Sequence, residues 1–261
     1  MFFRCGRRHL HSWRRAEEGL EVREEQIRKS TECFNWIDQT WTSAVFEGRS
    51  HTSSFLYQGQ MVIAGGLVDY KNKTNTLKCI NVRDAAATWK DSDCKLPIRF
   101  SSHTVVNHND LLFLAGGYCQ LIEKEILKQS DTIYEVQLAP PYSSKILTRL
   151  PQEISYHGME MFDQKLFILG GFGLEIKASV VQYDLIKNEC KERPPLPYAV
   201  DEMATVLWRN NVLVIGDEST RSKCLNAVIM YDVITGRSQM LPCMKHKRRV
   251  CTAVLTGNRN E

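Results

Sequence analysis

The chain has 261 residues, with 34 Lys and Arg against 30 Asp and Glu, so its net charge is only +4. That balance gives no electrostatic footprint for nucleic acid, and no apolar run reaches membrane-span length, so neither partner is expected. Nine cysteines, an odd number with no C-x-x-C pair, argue against a disulfide framework or zinc finger and for a reducing, cytoplasmic setting.

Residues 1–30 read as a charged leader, helical or disordered. Arg4, Arg7, Arg8, Arg14 and Arg15 precede the first acid, Glu17. Trp13, Leu20 and Ile27 then fall seven apart along a thin stripe that suits a short solvated helix. Residues 31–45 read as the tail of a β unit: Cys33 to Trp36 is a third strand, Asp38-Gln39 a turn, and Trp41 opens a fourth strand.

From there the chain repeats. Three apolar runs end in Gly65-Gly66, Gly116-Gly117 and Gly170-Gly171, and a fourth ends in Gly216-Asp217. The first glycines are 51, 54 and 46 residues apart, the period of a repeat architecture. Leu96-Pro97, Leu150-Pro151 and Leu196-Pro197 each lie upstream, and each proline is 19 residues before a first glycine. So constant a distance marks a strand, a tight turn and a second strand. The turns are Gln58-Gly59, Asn109-Asp110, Asp163-Gln164 and Asn210-Asn211, with Phe100 to Val106 as the first strand of its unit. Tyr57, His108, Phe162 and Trp208 stand eight residues before the first glycines, as hairpin-edge positions.

Third strands follow at 76–83, 132–138, 180–184 and 227–232, and fourth strands at 145–150 and 236–241 return the chain to a Leu-Pro pair. Between Tyr118 and Asp131, Leu121, Ile122, Ile126 and Leu127 suit a short amphipathic turn. Val250 to Leu255 reads as one more first strand, with a turn at Gly257-Asn258. Four antiparallel strands per unit, with glycines on the second, describe a propeller blade. The glycines are expected where inner strands crowd a central channel.

The diglycine strand, then Tyr-Asp (Tyr183-Asp184, Tyr231-Asp232), then a tryptophan (Trp89) and Leu-Pro resemble kelch repeats. The tryptophan becomes Cys190 and Ser238 in later units. The resemblance implies an all-β, kelch-type β-propeller with four full four-stranded blades, near 46–97, 98–151, 152–197 and 198–242. Half-units 31–45 and 243–261 would add a partial or composite blade, so 31–261 forms one propeller. The ring is expected either to close through that composite blade or to be a fragment of a larger ring, and the fragment, curled into a near-closed disc, is the preferred expectation.

No catalytic, metal or cofactor constellation is legible: there is no Gly-x-Ser-x-Gly, no phosphate loop and no His-Glu-x-x-His. His103 and His157 occupy equivalent positions at the start of first strands, and a structural or pore-mouth role is expected. Kelch modules bind partners through the loops entering first strands. Carried over, these are 98–102, 152–156, 198–202 and 244–248, so Arg99, Tyr156, Asp201, Glu202, Lys247 and Arg248 are the candidate partner contacts. The expectation is a non-catalytic interaction module binding another protein or peptide of acidic or mixed charge. The resemblance implies substrate recognition for a cullin-RING ubiquitin ligase, with actin binding as the alternative and an enzyme on a propeller scaffold as the third.

Overall fold

A computed structural model describes residues 3–4, 30–35, 40–45, 48–69, 72–81, 84, 86–120, 127–216, 218–219 and 223–254. The chain divides into two compact units, 1–101 and 102–261. Every regular element among the described residues is a β-strand, and no helix there is long and apolar enough to cross a membrane.

In the first unit, Ser30–Asn35 and Thr40–Val45 pair antiparallel with Phe34 opposite Trp41, which are the two strands expected there. Phe3–Arg4 adds a third strand against Glu32 and Cys33, so this part of the expected helical leader is extended. The rest of the leader and the turn at Asp38-Gln39 lie outside the described residues. The strands Ser53–Tyr57, Gln60–Ala64, Thr74–Asn81 and Lys90–Ser101 then pair in chain order as the first sheet. Its fourth strand runs twelve residues, with two register shifts against the third.

The second unit repeats that plan three times. Thr104–His108, Leu111–Ala115, Thr132–Gln137 and Ser144–Arg149 make the second sheet. Gly158–Phe162, Lys165–Leu169, Val180–Asp184 and Glu189–Arg193 make the third. Ala204–Trp208, Asn211–Ile215, Val228–Asp232 and Ser238–Leu241 make the fourth.

Four local expectations are corrected. Phe100 to Val106 is not one strand: the first sheet's last strand ends at Ser101, Ser102 turns left-handed (φ 54°), and a new strand starts at Thr104. The fourth hairpin turns at Arg209-Asn210, one residue early, because Trp208 pairs with Asn211 and Arg209 takes the positive φ. Residues 250–254 form no strand, and the turn expected at Gly257-Asn258 lies outside the described residues, as does Asp217. The expected amphipathic turn gives way at its ends to a short ribbon, Tyr118–Gln120 against Leu127–Gln129, and Leu121 to Ile126 lie outside the described residues.

The core lies between sheets. On the third sheet Leu166, Ile168, Val181 and Tyr183 face one way, packing with Phe113, Ala115 and Ile133 of the second sheet. Phe167, Leu169 and Val180 face the other way, packing with Val212, Val214, Ile229 and Tyr231 of the fourth. The period-2 alternation of a pleated strand thus feeds two cores from one sheet. Leu150 and Leu196, from the Leu-Pro pairs, are buried in those same cores.

The Tyr-Asp pairs now have a physical account. Tyr183 and Tyr231 are buried, and their hydroxyls donate to Asn188 Oδ1 (2.7 Å) and to the Pro194 carbonyl (3.1 Å). Asp184 Oδ1 accepts from the backbone N–H groups of Ile186 and Lys187, and Asp232 Oδ1 from those of Ile234 and Thr235. The tyrosine fills the core while the aspartate ties the turn that follows. Cys190 and Ser238 sit directly across from these tyrosines, so the position of the missing tryptophan is a cross-strand neighbour of the core tyrosine.

Candidate partner-binding face

One backbone conformation recurs just ahead of the first strand of each sheet, and once more at Val250. His51, Ser102, Tyr156, Glu202 and Val250 all have φ between 49° and 55°. Left-handed backbone is uncommon outside glycine, and for a β-branched residue such as Val250 it is an outlier. Within the second unit these residues are joined in series. The Tyr156 N–H donates to the Ser102 carbonyl (3.1 Å), Glu202 to Tyr156 (3.1 Å) and Val250 to Glu202 (2.8 Å). A ladder of backbone hydrogen bonds therefore steps from one sheet to the next, one rung per repeat. It places one side chain from each repeat beside the next.

The diglycines make room for this arrangement. The first glycines at 116, 170 and 216 meet the segment that follows their own sheet: a Cβ on Gly170 would stand 2.5 Å from the Val200 carbonyl oxygen, and one on Gly216 would stand 2.7 Å from that of Arg248. The second glycine meets its own entering segment, as Gly171 meets Ser155 and His157. Its N–H also donates to the crossing segment, Gly117 to Ile154 and Gly171 to Val200, both at 2.7 Å. The glycines thus answer to crossing segments identified here, rather than to a channel alone.

Around the ladder the loops that follow the diglycines are fastened down. Ser155 and Phe172 exchange backbone hydrogen bonds of 2.9 and 2.7 Å. The Gln129 side-chain amide donates to Ser155 Oγ (2.7 Å) and to the Phe172 carbonyl (2.6 Å). Tyr118 lies edge-on to Tyr156, ring centroids 6.2 Å apart. The Glu202 carboxylate is 4.0 Å from the Arg249 guanidinium.

The expected contact residues are distributed as follows. Tyr156 and Glu202, both half-buried, are neighbouring rungs. Lys247 and Arg248 are exposed in the segment leading to the Val250 rung, and the Arg248 N–H donates to the Leu225 carbonyl. Asp201 is only 8 % exposed and lies beneath the face rather than on it. Arg99 belongs to the last strand of the first unit and is half-buried. Sequence reasoning did not single out Tyr118 or Gln129 as part of this face. Only the spacing of Tyr118, one residue past the diglycine, carried a signal.

One residue past the rungs of the second unit stand His103, His157, Met203 and Cys251. Both histidines are buried, and burial lowers their pKa values to about 3 for His103 and about 4 for His157. A second cause for His103 is the charge that His157 would carry. Glu160, on the first strand of the third sheet, is held protonated more readily than usual, because burial outweighs its hydrogen bonds from Thr205 and Leu207. No group of three His, Cys, Asp or Glu side chains among the described residues is placed to hold a metal ion.

No protein-family model matches the chain. Among curated proteins it is similar to Kelch-like protein 15 of Danio rerio, 27% identical over 103 residues, covering 38% of this chain and 17% of that protein. It is also similar to human Kelch repeat and BTB domain-containing protein 12, 22% identical over 142 residues, covering 48% of this chain and 22% of that protein. A Dictyostelium discoideum Ras guanine nucleotide exchange factor F is 24% identical over 146 residues, covering 52% of this chain and 12% of that protein. The chain thus spans about a fifth or less of the length of the curated relatives it matches. Among solved structures, that of YjhT superposes with a TM-score of 0.63 at 12% identity, over 76% of this chain and 66% of that one. The chain has a β-propeller fold, and its repeats are similar to those of kelch-like proteins. Its blades are the four-stranded sheets described above, and the kelch diglycine and Tyr-Asp positions have the packing and capping duties found here.

Proposed function

We propose that this kelch-repeat chain is a non-catalytic recognition module that binds a partner polypeptide across the ladder face. The observation that carries the reading is the series of left-handed residues. Strained backbone at a fixed position in each repeat, bearing a different side chain each time, is what a scaffold for recognition requires. Tyr156, braced by Tyr118, supplies an aromatic anchor of the kind that dominates interface energetics. Arg248 and Lys247 supply charge for carboxylates on a partner of acidic or mixed character. The finer assignment is substrate recognition within a cullin-RING ubiquitin ligase in the cytoplasm. Similarity to kelch-like proteins, one of them named for a BTB domain, supports it.

The test is a comparison of partners captured by proximity labelling with the wild-type chain and with a Tyr156→Ala, Arg248→Ala double variant. Arg99→Ala is tested separately because it lies in the other unit. The double variant is expected to lose at least one abundant partner while its thermal melt stays within about 2 °C, the scale of a small change in stability. Identical partner sets would sink the reading. Retention of F-actin by the purified chain in co-sedimentation, unaffected by the double variant, would replace it with the cytoskeletal one.

A further inference from the structure

Past the fourth sheet the backbone repeats the path by which it enters the third and fourth. On the way into the fourth, the Leu196 N–H donates to the Ala178 carbonyl, Val200 to Lys177, and the rung Glu202 to Tyr156. Past it, Met244 donates to Asn226 (2.8 Å), Arg248 to Leu225 (2.9 Å), and the rung Val250 to Glu202 (2.8 Å). We propose that residues 251–254 are the docking edge for an apolar β-strand of a partner polypeptide, one followed in the partner's sequence by acidic residues. This rests on the partner-binding reading and names the chemistry of the partner.

Three observations carry it. The first is position. First strands begin two residues past their rungs: Thr104 after Ser102, Gly158 after Tyr156 and Ala204 after Glu202. Thr252 holds that place after Val250, so the chain is laid out there as the first strand of a further sheet. The second is an open edge. The other first strands each pair with a second strand, whereas 251–254 pair with no strand among the described residues. Thr252 and Val254 are exposed while Cys251 and Ala253 are half-buried, the alternation of a strand lying on one face. The run from Val250 to Val254 is rich in β-branched residues and has no charge, proline or glycine. An edge of that composition takes up another strand. The third is charge. Lys245, Lys247 and Arg248 stand exposed just ahead of this edge, while the nearby Glu202 carboxylate lies beside Arg249.

The direction of the partner strand follows from the sheets already formed. In all three sheets of the second unit the start of the first strand faces the end of the second: Thr104 pairs with Ala115, Gly158 with Leu169 and Ala204 with Ile215. A partner strand in the second-strand role runs antiparallel to 252–254, with its C-terminal end opposite Thr252. Its side chains are apolar, because the chain's own second strands are buried there, from Leu112 to Ala115 and from Leu166 to Leu169. Carboxylates placed just after that strand then meet Lys247 and Arg248. Main-chain hydrogen bonds supply the affinity and the acids set the orientation, the mode in which a peptide adds a strand to a sheet edge.

The probe is a soluble peptide of about six alternating valines and threonines, the length of a common strand, ending in Asp-Glu. A control peptide carries Asp-Glu ahead of the strand instead. Binding is read by fluorescence anisotropy, and the edge by hydrogen exchange of the amides at 251–254. The expected result is protection of those amides and affinity at least about 10-fold tighter for the probe than for the control. N-methylation of the probe's ladder-facing amides is expected to abolish binding, and a Lys247→Ala, Arg248→Ala variant to lose the preference over the control. The methylated probe is tested on the wild-type chain, so that arm stands even where the variant misfolds. No binding, equal affinities, or binding that survives methylation of either alternate set of amides would each overturn the proposal. Amides already protected without peptide would show that the chain covers its own edge, and protection rising with chain concentration would give the edge to a second copy; either overturns it. The partner-binding reading fails separately, through an unchanged set of captured partners.

Discussion

Left-handed backbone at a non-glycine residue costs on the order of 1–3 kcal/mol, and this chain holds it ahead of all four sheets and again at Val250. The glycines are subject to two separate constraints, conformation and space, and two positions separate them. Gly59 has φ 76° with nothing within 4 Å of a Cβ, whereas Gly170 has φ 57° and would press a Cβ onto the Val200 carbonyl. Gly59→Ala is therefore expected to cost about 1 kcal/mol, from backbone strain alone. Gly170→Ala is expected to cost at least about 3 kcal/mol, because strain and a backbone clash add and the crossing segment cannot retreat without breaking its bond to Gly171. Urea denaturation of both variants checks this, and equal losses would mean that crowding is not what selects glycine at position 170.

Between strands, the turns after the third strand of the third and fourth blades depend on one carboxylate each. The backbone N–H groups of Lys187 and Thr235 hold Asp184 and Asp232 below the ordinary carboxylate range, against a smaller opposing effect of burial. A carboxylate whose pKa is depressed in the folded state adds stability above its unfolded pKa, about 3.9. That stability is lost as pH falls through the lower, folded value. Asp232→Ala is expected to lower stability by about 0.5–1 kcal/mol at pH 7, the loss being limited by solvent screening, and by almost nothing at pH 2. Denaturant melts at the two pH values check it, and a loss of the same size at both would assign the effect to packing. These turns were legible in the sequence, because aspartate before a turn carries its mechanism in its side chain. The ladder was not. Serine, tyrosine, glutamate and valine give no local sign of positive φ, and the bonds that hold them join residues 46 to 54 positions apart. The hairpin at Arg209-Asn210 was misplaced by one residue because either of two adjacent asparagines suits a tight turn.

Across the second unit, stability is organised by interfaces rather than by blades. Ile168 and Leu169 are adjacent on one strand yet belong to different cores. A double-mutant cycle exposes that division. Leu169→Ala is expected to cost about 2–5 kcal/mol and to couple with Val214→Ala by 0.5 kcal/mol or more, since the two share a core. Ile168→Ala is expected to cost a similar amount and to add with Val214→Ala within about 0.3–0.5 kcal/mol. Strong coupling in both cycles would indicate one continuous core. The repeat spacing, most of the strand pattern and the diglycine positions are legible in the sequence, because local pairing and period-2 alternation are written in neighbouring residues. What the diglycines pack against was not, because the crossing segments come from the next repeat.

The ladder also bears on how such a surface can diversify. Each rung is held by its own N–H and carbonyl, so the side chain it carries takes no part in holding the rung. Serine, tyrosine, glutamate and valine already occupy the position without altering the bond. Substitution there rewrites what the molecule touches while leaving intact the frame that presents it, so specificity can drift one repeat at a time.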